Sequence, residues 1–206
     1  MTRLLLSVGI MLPGSLPADT AINIAAMTGR LGFSAVYLTE VPSQDQLERL
    51  VHAAAPAQVL VPPPSGATGV VKVNNPDTVA TARVEMDAEG VERPLRVCVP
   101  ISIGRTMSEA EARAALEPRF EGDRHPRHVG IFGTFEQAQD QVLALARAGA
   151  DELLLEVPLE RDVADVLAQI RALVAGATPQ LVDAPLADGR TAPPQTVFYS
   201  PPHSRQ

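Results

Sequence analysis

The chain has 206 residues, 46% of them hydrophobic but only 3% aromatic and with no Trp, which suits one domain with a core built from Ala, Val and Leu. A formal net charge of −7 argues against nucleic acid or an anionic membrane as a partner. The single cysteine, Cys98, excludes an internal disulfide and points to a cytoplasmic setting, and no run reaches the roughly 20 apolar residues of a membrane span.

Residues 1–11 carry one Arg ahead of an apolar run, as a secretory leader does. Pro13 comes early and no small-x-small pattern follows, so the segment reads as a strand over 4–10. Leu12-Pro13-Gly14 breaks it. Asp19 or Thr20 can cap a helix carrying Ile22, Ala25, Ala26 and Met27, closed at Gly32. Residues 34–38 form the second predicted strand. Ser43 and Gln46 make a capping box for a helix with Leu47, Leu50, Val51 and Ala54, and 58–61 is the third strand. A Pro/Gly/Ser-rich loop over 62–69 has no periodicity. Residues 70–73 give a short fourth strand. Asn75 can cap, and Pro76 can start, a helix ending at Gly90.

Residues 95–103 form the fifth strand, with Cys98 as a small core residue. Ser108 with Glu111 opens a helix that runs to Leu116. The stretch 117–130 is polar and irregular, and it gathers Arg119, Arg124, His125, Arg127 and His128. Thr134 and Gln137 then form a capping box. Val142, Leu143, Leu145 and Ala146 make the helix's apolar stripe, and Gly149 fits the left-handed position after its last turn. Residues 152–157 are a short apolar run stopped by Pro158, as in a strand buried on both faces. Asp162 can cap a last helix with Val163, Val166, Leu167, Ile170 and Leu173 on one side.

Six strands, each followed by a helix or an excursion, predict a parallel sheet covered by helices. Eight such units close a barrel in roughly 250 residues. The expectation is therefore an α/β fold, an incomplete (β/α) barrel of TIM type with about six parallel strands, over residues 1–177. Residues 178–206, studded with prolines, form an extended tail. The alternative is an open doubly wound sheet.

Four segments together resemble the luciferase-like monooxygenase family, the flavin- or deazaflavin-dependent barrel enzymes. LGFSAVYLTE at 31–40 looks like that family's second strand. PDTVATARVEMDAEGVERPLRVCVPISIG at 76–104 and TMSEAEARAAL at 106–116 look like its late helix, strand and following helix. VGIFGTFEQAQDQVLALARAGADELLLEV at 129–157 is similar to its closing helix and final strand, with Phe135 where a Pro is usual. The central units of a full barrel have no counterpart. Where the family often carries an acid followed by His after strand two, Thr39-Glu40-Val41 keeps the acid and lacks the His.

Barrel chemistry sits at the carboxyl ends of the strands. Those ends offer Gly9, Met11, Thr39, Glu40, Asn74, Asn75, Ser102, Gly104, Arg105 and Glu156. Glu40 and Glu156 read either as a general acid or base or as rim carboxylates. Asn74 and Asn75 can bond a flavin edge or cap a helix, and Ser102 can contact a ring or its own backbone. Gly133-Thr134 at a helix start suits a phosphate or a plain cap, with the basic segment 119–128 adding charge. His125 and His128 lack partners at metal-ligand spacing.

The resemblance implies a flavin- or deazaflavin-dependent oxidoreductase acting on a small organic substrate. Glu40 would be its catalytic acid or base. Gly9, Asn74, Ser102, Gly133 and Thr134 would hold reduced FMN or deazaflavin. The other expectation is a non-catalytic flavin-binding or accessory protein derived from that family. A barrel lacking units exposes sheet edges, so a homodimer is expected.

Overall fold

The computed structural model describes residues 6–62, 70–72, 75–91, 93–122, 124–159 and 163–182; Asn74 and Asp162 lie outside them. Seven parallel strands are present among these residues. They are β1 (Ser7–Leu12), β2 (Ala35–Leu38), β3 (Gln58–Leu60), β4 (Val70–Lys72), β5 (Arg96–Gly104), β6 (Ile131–Thr134) and β7 (Glu152–Glu156). The helices are α1 (Ala18–Arg30), α2 (Gln44–Ala54), α3 (Pro76–Ala88), α4 (Met107–Ala114), α5 (Phe135–Arg147) and α6 (Val163–Val182). The strand order is β3-β2-β1-β7-β5-β4, with β6 paired to the carboxyl half of β5 through Ile101↔Ile131 to Gly104↔Thr134.

The sheet is curled. Met11 on β1 and Cys98 on β5 have β7 between them, a separation of roughly 10 Å for two flat strand spacings. Yet Cys98 Sγ reaches Met11 Sδ at 3.5 Å. Leu60 of β3 and Val70 of β4, from opposite ends of the order, pack on the same cluster with Tyr37 and Leu154. No pairing joins β3 to β4 among the described residues, and the parallel sheet covered by helices is the α/β arrangement that the sequence predicts.

Alternation along each strand divides the core. Val8, Ile10, Leu12, Val97, Val99, Ile101, Leu153 and Leu155 face a large outer cluster with α1, α2, α3, α5 and α6. The helix stripes do what their spacing dictates: Val142, Leu143, Leu145 and Ala146 of α5 and Val166, Leu167, Ile170 and Leu173 of α6 are all buried there. Helix α4 packs on the other face, at the carboxyl end. Ser102 shares its face with Cys98, and its Oγ donates to the Ala110 carbonyl at 2.8 Å. Phe132, opposite Ser102, packs with Ala110, Ala114 and Phe120.

The amino ends of the strands are pinned by ion pairs. Arg83, 8% exposed, donates to the Gly149 carbonyl and to Asp151, which accepts from the Leu95 N–H at 2.7 Å. Glu152 accepts from Arg96 Nε at 2.8 Å and from Ser34 Oγ at 3.0 Å.

Several caps match the sequence. Ser43 accepts from the Gln46 N–H, Asn75 from the Thr78 N–H, and Thr134 closes its box with Gln137. Four expectations need correction. Strand β6 is not among the six predicted, because four residues containing Gly133 carry too little pattern. Helix α4 is capped by Thr106, which accepts from the Glu109 N–H, two residues before the predicted Ser108. Asp19 and Thr20 lie inside α1, whose cap position is Pro17, and Asp19 instead pairs with Arg49 at 3.0 Å. Helix α6 runs on through Val182, past Thr178.

Candidate ligand site

The concave mouth at the carboxyl ends is occupied by the chain itself. Glu117 and Arg119, just after α4, reach over the end of β7. Arg119 donates to both Glu117 oxygens at 2.6 and 2.7 Å and lies 3.4 Å from Glu156. Burial works against the Arg119 charge. The Glu117 hydrogen bonds and the charges of Glu156 and Glu117 outweigh it, so the pKa lies above the ordinary guanidinium value. Phe120 fills the space beside α4.

Against that background the residues singled out by sequence fall into two groups. Ser102, Gly133 and Thr134 come together where β5 pairs with β6. Ser102 is 1% exposed with its hydroxyl given to Ala110, and Gly133, at φ 127°, leaves room for the Gln137 side chain. Glu40 and Gly9 are elsewhere. Glu40 is exposed and lies against Gly14, whose N–H donates to Thr39 Oγ1 at 2.9 Å. Gly9 sits between β2 and β7, where any side chain would meet Ala35 and Leu154.

The open concavity is a basic corner between α3, the turn Pro126–His128 and α5. One cavity of about 370 Å³ is lined by Asn75, Arg124, Arg127, His128, Ile131 and Gln141 among others. A second, of about 390 Å³, is lined chiefly by Met107, His125, Phe132 and Gln137. Arg127, His128 and Gln141 belong to both and form a common wall. Arg124 and Arg127 form no ion pair among the described residues, and no carboxylate lines either cavity. His125 accepts from the Arg127 N–H through Nδ1 at 3.3 Å and meets Phe132 edge-on, ring centroids 5.5 Å apart.

Gln141 builds the wall. Its Oε1 accepts from the Phe132 N–H at 3.2 Å, and its Nε2 donates to the Phe132 carbonyl at 2.8 Å. The amide thus takes the place of a neighbouring strand along the free edge of β6. The sequence marks the basic cluster and the start of α5, but not Gln141 or Phe132, because nothing local says that an amide at the seventh position of a helix will turn back on the strand.

The fold has a counterpart among solved structures. The apo form of MsnO8 superposes with a TM-score of 0.54 at 12% identity, over 83% of this chain and 98% of that one. That likeness is one of fold. A (S)-3-O-geranylgeranylglyceryl phosphate synthase from Thermoplasma acidophilum, in complex with sn-glycerol-1-phosphate, aligns at a TM-score of 0.37 and 16% identity over 82% of this chain and 93% of that one; at that score it adds nothing. No protein-family profile and no curated protein matches the chain.

Among the described residues no three His, Cys, Asp or Glu side chains converge as metal ligands, and no helix is long and apolar enough to cross a membrane.

The chemistry of the corner fits one kind of ligand. Two guanidiniums with no carboxylate partner among the described residues suit a phosphate. The adjoining Phe132, His125 and Met107 suit a flat, partly apolar ring. The concave mouth itself, filled by Glu117, Arg119 and Phe120, does not fit a ring.

Proposed function

We propose that this chain is a shortened barrel protein of the luciferase-like type that binds a phosphate-bearing flavin or deazaflavin at the basic corner. Arg124 and Arg127 hold the phosphate, and the Phe132–His125 side takes the ring. The observation that carries this is a pair of arginines, with no ion-pair partner among the described residues, in a cavity that adjoins an aromatic one. The segment resemblance supplies the flavin and, at one further step, an oxidoreductase acting on a small organic substrate. When bound, the cofactor would bring the redox chemistry, and the chain would bind, orient and partly shield it.

A second reading, a non-catalytic flavin-binding or accessory protein, is favoured by one specific feature. Glu40, the acid that the resemblance would make catalytic, lines neither cavity.

Titration with FMN and with riboflavin tests the binding step. FMN is expected to bind saturably and at least about tenfold more tightly than riboflavin, which lacks the phosphate. Equal affinity for the two, or binding of neither FMN nor phosphorylated deazaflavin, removes the proposal. Turnover of the reduced cofactor by the saturated protein then selects the oxidoreductase, and binding without turnover selects the second reading.

A further inference from the structure

The polar groups left open around the second cavity are donors, and the chain's own hydrogen bonds make them so. Gln137 lines that cavity, and its Oε1 accepts from the Thr134 N–H at 3.0 Å. A backbone N–H can bond only the oxygen of an amide, so the Nε2 hydrogens are turned away from the cap. They meet no acceptor among the described residues. His125 is fixed in the same way. Its Nδ1 accepts from the Arg127 N–H, so the neutral ring carries its proton on Nε2, which also meets no acceptor among the described residues. The Arg127 guanidinium, with no ion-pair partner among those residues, is the third donor group.

Acceptors are scarce. The Gln141 amide is engaged inside the protein, Oε1 with the Phe132 N–H and Nε2 with the Phe132 and Gln137 carbonyls. No carboxylate lines the cavity, and His128 has partners of its own. The Met107 thioether is a weak acceptor. A ring edge bearing carbonyl oxygens therefore finds a donor at each turn. An edge bearing an exocyclic amine sets donor against donor and leaves both without partners, which counts against the wrong ligand instead of merely failing to favour it.

We infer that Gln137, supported by His125 and Arg127, is the specificity-determining residue of this site: it accepts a phosphate-bearing ring by a carbonyl edge and rejects one by an amine edge. This rests on the reading of the basic corner as a flavin site. It also gives the ring an orientation, with the pyrimidine-dione end in the cavity and the dimethylbenzene end outside.

A glutamine that only caps α5 predicts something different, and Gln137→Glu separates the two roles. The carboxylate keeps an oxygen for the Thr134 N–H, and so keeps the capping box, but replaces the outward donors with an acceptor. FMN and AMP both end in a phosphate and differ in the ring edge. Calorimetric titration of each, on the wild-type chain and on the variant, gives a ratio of affinities in which any effect of the new charge on the phosphate is common to both. The wild-type chain should favour FMN at least about tenfold, and Gln137→Glu should cut that ratio at least about tenfold with the melting temperature within about 2 °C. If AMP binds too weakly to measure, ribitol phosphate, the ring-free part of FMN, replaces it as the reference and the same fall is expected. If the variant is unfolded, His125→Phe takes its place, since it keeps an aromatic ring beside Phe132 and removes the Nε2 donor. An unchanged ratio in a folded variant overturns the inference and leaves the flavin reading intact. Failure of the wild-type chain to bind FMN removes both.

Discussion

Arg83 shows how one buried charge can hold three elements. It sits on α3, bonds the Gly149 carbonyl beyond α5, and pairs with Asp151 at the foot of β7. Replacing it with Met keeps the volume and leaves Asp151 and that carbonyl short of a partner. A loss of about 3 kcal/mol is expected in urea unfolding. At the other end of the strands Arg124 and Arg127 have no such structural duty. Arg124→Ala and Arg127→Ala should leave the melting temperature within about 2 °C, as surface substitutions do. They should weaken FMN binding, each by about tenfold and more steeply at low salt, because a phosphate contact is screened by ions. Calorimetry at two ionic strengths checks both.

Cys98 gives a pH prediction. Its folded-state pKa is raised from 9.0 to about 12, so folding favours the protonated thiol. That contribution is whole below pH 9. It drains away as pH climbs toward 12, because the unfolded chain releases the proton first. Cys98→Ala removes this term, so the melting-temperature gap between wild type and variant should narrow from pH 8 to pH 11. A constant gap would mean that the thiol is not shifted.

Among elements, β6 was the least legible. Its four residues, Ile-Phe-Gly-Thr, lie between a polar irregular stretch and a strong helix signal, and Gly133 supplies no side chain to the pattern. The strand exists because β5 is long enough to pair twice, with β7 over Arg96–Pro100 and with β6 beyond. A pairing of that kind lies in the partner's length, not in the local residues. The start of α4 was misread for a related reason: both Thr106 with Glu109 and Ser108 with Glu111 have capping-box spacing, and the choice falls to Thr106 because β5 runs on to Gly104. By contrast α5 and β7 were readable from local residues, β7 to within one residue of its predicted end at 157, since apolar spacing, capping box and Gly149 at φ 111° all agree.

The edge of β6 can be tested directly. Gln141→Leu keeps α5 apolar and leaves the Phe132 N–H and carbonyl without protein partners. A cost of about 1–3 kcal/mol is expected, together with faster hydrogen exchange at the Phe132 amide.

At the scale of the molecule, apolar patterning was enough to state the class of fold, a parallel sheet covered by helices. It could not state the curl, which depends on side chains from β1, β3, β4 and β5 meeting on one face. Nor could it show that the segment after α4 turns back over the mouth. The candidate site was legible only as charge, in Arg124, Arg127 and their neighbouring histidines. The lining side chains come from helices and strands far apart in sequence. The open ends at β3 and β4 keep the expectation of a homodimer alive as a proposal. Light scattering at micromolar concentration should give twice the 21.8 kDa of the chain, and a monomer mass would refute it.

The amide of Gln141 bears on how far such assembly can go. Filaments that grow by laying one backbone beside the next need a vacant row of donors and acceptors on every new subunit. On β6 part of that row is already spoken for by the molecule's own glutamine. Copies that met there would first have to evict it, which turns β6 from a template into a stop.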